Sequence, residues 1–328
     1  MSFKIGELEI KKRVILAPMA GITSFSYRKL MSKFGCGLFY SEMISDCGLL
    51  VNNVNTTVLL QDFDNSDHPL AVQLFGGKTE TLLKAIDKLD ELKVNYEVLD
   101  LNLACPVYKV IKSNGGSSWL KDQEELFKMV SAVVKKSKKP VSCKIRLGFD
   151  SVNVNETVKT LEKAGVSFIA IHARTRNQLY IGEPDYEALK DVRDIIKIPF
   201  CISGNIFTVE DALKALKITR ADCVMVARGG VGNPELINNI NLALDNKGFS
   251  EDVTLERQIQ YLKEYALDLV KELGETKAVS YLKGIAPKFF NKVVGSKELK
   301  NNITQNIKSI ENLFEIIDEF KKSYLKVN

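Results

Sequence analysis

The strongest constraint on the fold is an alternation of short apolar runs with helical patterns from the N-terminus to about residue 245. Each apolar run has the length and the branched residues of a buried parallel strand. The eight runs cover residues 14–17, 38–40, 70–74, 98–101, 141–145, 168–171, 199–202 and 223–226. Amphipathic helical segments follow at 24–34, 79–92, 122–136, 154–163, 186–195, 209–216 and 235–244. This alternation predicts a (β/α)8 TIM barrel, with a doubly wound parallel sheet as the alternative.

The alternation stops after a polar stretch at 245–250, which is typical of a linker. Beyond it, apolar residues recur at helical spacing in 255–273, 276–293 and 303–324. The sequence therefore predicts a barrel domain over 1–245 and a small helical bundle domain over 246–328. Asp122 and Thr208 stand where helix N-caps belong.

Composition narrows the class of protein. The chain of 328 residues is 45% hydrophobic and has no run of about 18 apolar residues, so we expect no membrane span. Its N-terminus lacks the apolar stretch of a signal peptide, which favours the cytoplasm. Six cysteines without a C-x-x-C pair, and only two histidines, predict no metal site. A net charge of +5 permits an acidic partner without requiring one.

Polar and small residues follow the predicted strands. They are Ala17-Pro18-Met19-Ala20-Gly21, Ser41-Glu42-Met43, Gln73, Asn102 with Cys105, Lys144 with Arg146, His172 with Arg174, Ser203-Gly204-Asn205 and Ala227-Arg228-Gly229-Gly230. In a barrel, all of them meet at the C-terminal mouth, where barrel enzymes have their active sites. The prediction depends on the strand count.

The last two of these loops are typical of a phosphate site. Loops after the seventh and eighth barrel strands often hold phosphate, because small residues let backbone N–H groups approach its oxygens. Arg228 adds a permanent positive charge. The alternative is that the glycines only make tight turns. No G-x-G-x-x-G opens a βαβ unit, so a Rossmann nicotinamide site is not indicated.

Lys144 and Arg146 end the fifth predicted strand, and we expect only one of them to point straight into the barrel. A buried cation there needs an anionic partner such as a phosphate or a reduced flavin ring. The alternative is a structural ion pair with Glu42 or Asp100.

His172 and Arg174 follow the sixth predicted strand. Its position at the barrel mouth beside arginines favours a functional role for His172 over a structural one. His68, before Pro69 at a strand entrance, lies on the opposite side and is interpreted as structural.

Cys105 lies three residues after Asn102, just beyond a buried strand, and precedes a predicted flexible stretch ending in Gly115-Gly116. A thiol on such a loop suits a catalytic acid or a nucleophile that closes over a substrate. A thiolate nucleophile has no histidine nearby in sequence to support it. A buried core thiol is the remaining alternative.

The helical segment is strongly basic. Between residues 277 and 308 its charged residues are Lys277, Lys283, Lys288, Lys292, Lys297, Lys300, Lys308 and Glu298, a balance of +6. Such a run either covers a solvated helix face or contacts nucleic acid.

Together these residues resemble the tRNA-dihydrouridine synthases over nearly the whole chain, and the bacterial B-type subgroup most closely. The matching motifs are Ala17-Pro18-Met19-Ala20-Gly21-Ile22-Thr23, Ser41-Glu42-Met43, Val72-Gln73-Leu74-Phe75-Gly76, Asp100-Leu101-Asn102-Leu103-Ala104-Cys105-Pro106, Lys144-Ile145-Arg146-Leu147-Gly148, His172-Ala173-Arg174-Thr175-Arg176, Tyr180-Ile181-Gly182 and Gly229-Gly230-Val231-Gly232-Asn233-Pro234. Each motif is weak alone, and their order makes the set specific.

The resemblance implies a barrel that binds FMN, a helical domain that binds tRNA, and reduction of particular tRNA uridines to 5,6-dihydrouridine. NADPH or NADH would reduce the flavin, hydride would pass from flavin N5 to C6 of a flipped uridine, and Cys105 would give the proton to C5 as general acid. FMN would be held by Pro18, Met19, Ala20, Gln73, Lys144, His172, Ser203, Gly204, Asn205, Ala227 and Arg228. Substrate contacts would come from Asn102, Arg146, Arg174, Lys283, Lys288 and Lys292. A monomer without metal is expected.

Two positions depart from the family pattern. Ala104 stands where the family usually has Gly before the catalytic Cys, and Ser203-Gly204-Asn205 replaces the usual Asn-Gly-Asp. We expect FMN binding to survive the second change, since that loop is predicted to act through backbone N–H groups. Two alternative functions are an FMN barrel oxidoreductase on a small pyrimidine such as dihydroorotate, and a non-catalytic RNA-binding protein. The basic segment disfavours the first, and intact Cys105, Lys144 and His172 disfavour the second.

Overall fold

The computed structural model describes residues 2–61, 65–249, 253–291 and 293–327. Its centre is a ring of parallel strands in chain order, in which every strand pairs with the next. The strands are β3 (Val14–Leu16), β4 (Phe39–Tyr40), β6 (Leu70–Phe75), β7 (Val98–Leu103), β8 (Val141–Arg146), β9 (Phe168–His172), β10 (Phe200–Ser203) and β11 (Cys223–Val226). Hydrogen bonds from Leu16 N to Leu38 O (3.0 Å) and from Gly37 N to Val14 O (2.8 Å) join β3 to β4. The predicted (β/α)8 barrel is confirmed, and the doubly wound sheet is excluded.

Helices surround the barrel as the periodicity predicted. The long ones are α1 (Phe25–Ser32), α4 (Thr79–Glu91), α6 (Gln123–Lys136), α7 (Val154–Lys163), α9 (Val209–Thr219) and α10 (Glu235–Leu244). The Asp122 side chain caps α6 by accepting from Glu124 N and Glu125 N, and Thr208 caps α9, so both N-cap predictions are confirmed. The helix predicted over 186–195 is instead a 3-10 turn (Glu187–Leu189) and a single turn, α8 (Val192–Ile195).

Several short elements have no clear periodicity and were not predicted. A hairpin of β1 (Phe3–Ile5) and β2 (Leu8–Ile10) precedes the barrel, and Ile5 and Ile10 pack with Phe168 at its N-terminal end. The others are β5 (Ile44–Ser45), α2 (Asp46–Leu50), α3 (Val54–Thr57), α5 (Tyr108–Lys112) and 3-10 turns at Val58–Leu60, Gly116–Lys121 and Arg228–Gly230.

The structural interpretation of His68 is consistent with its position. It lies just before β6, and its Nδ1 contacts the Glu97 carboxylate at 2.9 Å.

The C-terminal segment folds into α11 (Leu255–Leu273), α12 (Glu275–Phe289), α13 (Lys297–Asn306) and α14 (Ile310–Val327). The predicted helices at 255–273 and 276–293 are confirmed in outline, whereas the one predicted over 303–324 is two helices. The break occurs because the Ser309 hydroxyl accepts from Asn312 N, which caps the start of α14. No helix of the described residues is long and apolar enough to cross a membrane.

The helical segment packs directly on the barrel. The Glu272 carboxylate of α11 accepts from Phe25 N (3.2 Å), Ser26 N (2.8 Å) and the Ser26 hydroxyl (2.6 Å) at the start of α1. A carboxylate there satisfies free N–H groups and complements the helix dipole. The predicted division at 245/246 falls between α10 and α11 and stays an interpretation.

Candidate functional site

A cavity of about 390 Å³ opens at the C-terminal ends of the barrel strands. This volume lies within the range of roughly 300–1,000 Å³ that small-molecule and cofactor sites occupy. Its walls include Pro18, Met19, Ala20, Asn102, Cys105, Lys144, Arg146, His172, Ser203, Gly204, Asn205, Ala227 and Arg228. The barrel thus brings most of the predicted site residues together, although they are spread over more than two hundred positions. Gln73 and Arg174 lie behind the wall.

Cys105 is held at both of its peptide groups. Its N–H donates to Asn102 Oδ1 (2.8 Å), and its carbonyl accepts from Ser117 N (3.2 Å) and the Ser117 hydroxyl (3.0 Å). Gly116 is required beside it, since a Cβ there would lie 2.7 Å from the Cys105 carbonyl oxygen and the residue has φ of +57°. The stretch predicted to be flexible is therefore built as α5 and a 3-10 turn that anchor the thiol.

The Cys105 thiol is 8% exposed, and burial raises its pKa above the ordinary value. Arg146 and Lys144 act in the opposite direction and do not outweigh burial. A thiol with a raised pKa keeps its proton at neutral pH. This suits a proton donor and does not suit a nucleophile, which must react as the thiolate.

Ala104 fits the turn before Cys105 without backbone strain. Its φ is outside the positive range that favours glycine. Its N–H donates to Asn102 Oδ1 (3.1 Å), and its carbonyl accepts from Arg146 Nε (2.8 Å). The departure from Gly is therefore compatible with this backbone.

Asn102 and Gln73 form a linked pair. Asn102 Nδ2 donates to Gln73 Oε1 (2.8 Å), and Gln73 Nε2 donates to Asp100 Oδ2 (2.7 Å). Gln73 has no exposed surface, so in this structure its amide serves its neighbours. The predicted contact of Gln73 with a flavin ring stays a prediction.

Lys144 and Arg146 both line the cavity, so the prediction that only one points inwards is wrong. Residues two apart on a strand share a face, which explains the result. Arg146 donates to the carbonyls of Ala104, Thr175 and Leu179. The Lys144 ammonium makes no hydrogen bond or ion pair within the described residues, and burial followed by the charge of Arg146 lowers its pKa to about 8.

The structural ion pair proposed as the alternative for these cations does not form among the described residues. Glu42 accepts instead from Gly21 N and Tyr281, and Asp100 accepts from Gln73 and Ser142. The Lys144 ammonium therefore faces the cavity with room for an anionic or oxygen-bearing ligand.

The other end of the cavity is strongly basic. His172 Nε2 accepts from Arg174 Nη1 at 3.2 Å, which requires a neutral ring. Burial, and then the charges of Lys144, Arg146, Arg174 and Arg228, hold the pKa of His172 well below its usual value. Arg174 also donates to Asn205 Oδ1 (3.1 Å) and to the carbonyl of Ile181, so it orders the loops around the site.

Two glycines shape this basic end. A Cβ on Gly229 would lie 2.1 Å from the Ile206 carbonyl oxygen, which no relaxation of a side chain could relieve. Gly204 has φ of +132°, and a Cβ there would touch Pro184 and His172. Both loops therefore need glycine because of contacts within the protein, and the predicted phosphate site stays a prediction.

Tyr180 was quoted within a motif but was given no role. Its ring lines the cavity 5.3 Å from the guanidinium carbons of both Arg146 and Arg228. An aromatic residue in a loop that also carries arginines is the signal that could have identified it.

Glu42 is a second residue whose role could not be read from its motif. It is 7% exposed, and its carboxylate accepts from Gly21 N (2.6 Å) and the Tyr281 hydroxyl (2.5 Å). Burial raises its pKa, and the two hydrogen bonds oppose the rise. Glu42 thereby joins α12 to the loop that carries Pro18, Met19 and Ala20.

The lysines predicted to contact nucleic acid are open to solvent to different degrees. Lys277, Lys288, Lys297 and Lys308 are exposed, and Lys283 and Lys300 are half-buried. None of these six forms an ion pair within the described part of the chain. Lys292, the remaining residue of the run, lies outside the described residues. In the parts of the chain that are described, no group of three or more His, Cys, Asp or Glu could hold a metal.

Comparison with known proteins gives one family and one fold. The family model described as dihydrouridine synthase matches residues 15–324. A probable tRNA-dihydrouridine synthase of Rickettsia bellii is 34% identical over 278 residues, 84% of this chain and 85% of that protein. The tRNA-dihydrouridine synthase B of Pasteurella multocida is 30% identical over 312 residues, 90% and 92% of the two chains.

Solved structures share the barrel at low sequence identity. An old yellow enzyme homologue from Zymomonas mobilis superposes with a TM-score of 0.53 at 14% identity, over 78% of this chain and 95% of that one. Histamine dehydrogenase from Rhizobium sp. 4-9 gives 0.56 at 10% identity, over 81% and 50%. At these identities the likeness concerns the fold alone.

Proposed function

The chain belongs to the dihydrouridine synthase family and is an enzyme that reduces uridines in tRNA; on that premise we propose that it uses FMN, reduced by NADPH or NADH, with Cys105 as the proton donor. The observation that carries this proposal is the buried thiol of Cys105 in the wall of a cavity that Gly204, Arg228 and Gly229 also line.

The residues around the cavity fit FMN. The Gly204 and Gly229 loops line the cavity, where their backbone N–H groups would bind a phosphate and Arg228 would add a permanent charge. Neutral His172, whose Nε2 accepts from Arg174, keeps its proton on Nδ1 and can donate it to a ligand without adding charge. Lys144, without a partner among the described residues, is positioned for a ring oxygen or nitrogen of the flavin. Pro18, Met19 and Ala20 offer an apolar wall for the ring system.

Bound FMN, once reduced, supplies the hydride that adds to C6 of the uracil. Cys105 Sγ–H then gives its proton to C5, which completes the saturation of the C5–C6 bond. Asn102 holds the Cys105 turn, and Arg146 joins this turn to a second loop by donating to the Ala104 and Leu179 carbonyls. Arg174 supports the loops behind the cavity wall. A uridine whose base reaches Cys105 in this cavity must leave the RNA stack.

The helical domain supplies the grip on RNA in this proposal. Lys277, Tyr281, Gly284 and Lys288 share one face of α12 by helical spacing, and Tyr281 on this face reaches Glu42 beside the cavity. Exposed lysines without ion pairs among the described residues suit contact with phosphates.

The test starts from purified protein. The expected result is a yellow protein, or one that becomes so with added FMN, that forms dihydrouridine in an unmodified tRNA transcript when NADPH is supplied, as measured by mass spectrometry of nucleosides. A protein that cannot be loaded with FMN, or that is loaded and leaves the transcript unchanged with either nicotinamide, would refute the proposal. Sequencing of dihydrouridine in tRNA from a strain that lacks the gene would identify the positions.

A further inference from the structure

A continuous line of hydrogen bonds leads from the barrel interior to the backbone of Cys105. The Ser142 hydroxyl donates to Asp100 Oδ1 (2.5 Å), and Gln73 Nε2 donates to Asp100 Oδ2 (2.7 Å). Asn102 Nδ2 then donates to Gln73 Oε1 (2.8 Å), and Cys105 N donates to Asn102 Oδ1 (2.8 Å). We call Ser142, Asp100, Gln73 and Asn102 the Asp100 network.

The carboxylate decides which way each amide in this line faces. An ionised carboxylate only accepts, so Gln73 must turn its amino group towards Asp100 and its oxygen towards Asn102. Asn102 must then turn its amino group towards Gln73, which leaves its oxygen for the N–H groups of Ala104 and Cys105. With either amide reversed, two donors or two acceptors would face each other.

Burial makes these orientations matter. Ser142, Asp100 and Gln73 have no exposed surface, and Asn102 is 8% exposed. A buried polar group left without its partner costs about 1–3 kcal/mol, and water cannot replace the partner here. Although burial raises the pKa of Asp100 to about 6, its carboxyl is still mainly ionised above neutral pH and can act as the acceptor.

We propose that Asp100 is a positioning residue that orients Gln73 and Asn102 and thereby places the Cys105 thiol. Asp100 and Ser142 do not line the cavity, so neither is required to touch FMN or uracil. Ser117 and Gly116 anchor the carbonyl side of Cys105, and the Asp100 network anchors its N–H side. The inference rests on the proposed role of Cys105 and adds residues that act through it.

Two substitutions at Asp100 distinguish the orientation of the Gln73 and Asn102 amides from the packing of the Asp100 side chain. Asp100→Leu keeps the branched shape of the side chain, with methyl groups in place of the carboxylate oxygens, and removes the acceptor. Asp100→Asn keeps an oxygen for Gln73, since the Ser142 hydroxyl can accept from the new amino group. Gln73→Met removes the next hydrogen-bonding group between Asp100 and Cys105, and it replaces Asp100→Leu in the experiment if that variant does not fold. Gln258→Leu is the matched control, because it removes a buried glutamine whose Nε2 donates to the Phe289 carbonyl (3.0 Å) in the helical domain.

Three measurements are made on each folded variant. The first is the rate at which iodoacetamide alkylates Cys105, which peptide mass mapping follows. The second is the FMN dissociation constant without tRNA, and the third is the single-turnover rate of dihydrouridine formation. For Asp100→Leu and Gln73→Met we expect alkylation to quicken about tenfold and single turnover to slow about tenfold. The FMN affinity of Asp100→Leu should change less than about threefold, because Asp100 does not line the cavity. Asp100→Asn and Gln258→Leu should stay within about threefold of the parent in all three.

Equal effects of Asp100→Leu and Asp100→Asn would overturn the proposal, because they would show that acceptor orientation is irrelevant. Loss of FMN affinity in step with turnover, at an unchanged alkylation rate, would also overturn it and would assign Gln73 to the flavin. If the parent protein forms no dihydrouridine at all, the proposed function fails. The alkylation rates still decide whether the Asp100 network places the thiol.

Discussion

Removal of the Tyr281 hydroxyl should weaken both the fold and the proposed FMN site. Tyr281 of α12 donates to the Glu42 carboxylate, whose other oxygen accepts from Gly21 N in the cavity loop. Tyr281→Phe leaves one oxygen of a carboxylate that is only 7% exposed without its donor. A hydrogen bond to a charged group contributes about 1.5–3 kcal/mol, so we expect the free energy of unfolding to fall by about 2 kcal/mol.

The loss should depend on pH in a defined direction. Burial raises the pKa of Glu42, and the Tyr281 hydrogen bond lowers it, so the variant raises this pKa further. A carboxyl whose folded pKa is raised stabilises the fold below its unfolded pKa and loses that contribution as the pH rises through the folded value. The difference between parent and Tyr281→Phe should therefore be largest at about pH 8 and should shrink towards about pH 5.

Urea unfolding at both pH values measures this difference. Flavin fluorescence measures FMN affinity. We expect this affinity to fall several-fold, because the Glu42 carboxylate that accepts from Gly21 N is no longer held by Tyr281. Tyr261→Phe is the control, since its hydroxyl donates to Glu235 (2.7 Å) and Glu235 does not line the cavity. This control should keep its FMN affinity. A Tyr281→Phe protein within about 0.5 kcal/mol of the parent, or one that binds FMN as tightly as Tyr261→Phe does, would refute the reasoning.

Three further results are expected. Cys105→Ala should keep FMN and tRNA binding and lose about 10²–10⁴-fold in single-turnover rate, the usual contribution of a general acid; full activity would remove Cys105 from the mechanism. Lys283→Glu with Lys288→Glu should weaken tRNA binding and flatten its salt dependence in filter-binding assays, whereas charge reversals on the outer barrel helices should not; unchanged binding would assign these lysines to a solvated face. Gly229→Ala should abolish FMN binding in fluorescence titration because its Cβ would meet the Ile206 carbonyl oxygen, and normal binding would show that the loop can move aside.

Much of the barrel could be predicted because its signals are local. Each strand is a short apolar run, and helices such as Val154–Lys163 repeat their apolar residues every three or four positions. Segment 186–195 was misread since its apolar residues fit a helical pattern that the chain realises only as two separate turns. The single helix predicted over 303–324 is wrong because Ser309, which caps the second of the two helices found there, hardly changes the apolar periodicity.

Within the site, residue type and strand position predicted most of the cavity wall. Side-chain partners could not be predicted in the same way. Gln73 occupies a strand-end motif, yet its amide is held by Asp100 and Asn102. In the sequence, Tyr281 is one residue of a long helix beside several lysines, and only the packing of α12 on the barrel brings its hydroxyl to Glu42.

The sequence by itself determined the eight-strand barrel, the convergence of Cys105, Lys144, His172 and Arg228 on one mouth, and the basic character of the helical segment. Those properties follow from periodicity, strand polarity and charge, which neighbouring residues carry. The tertiary structure alone decided that Cys105 is buried in the cavity wall and that the Asp100 carboxylate accepts from the Gln73 amide behind it. Burial and hydrogen-bond direction depend on groups far apart in the chain, and only the folded barrel brings them within contact distance.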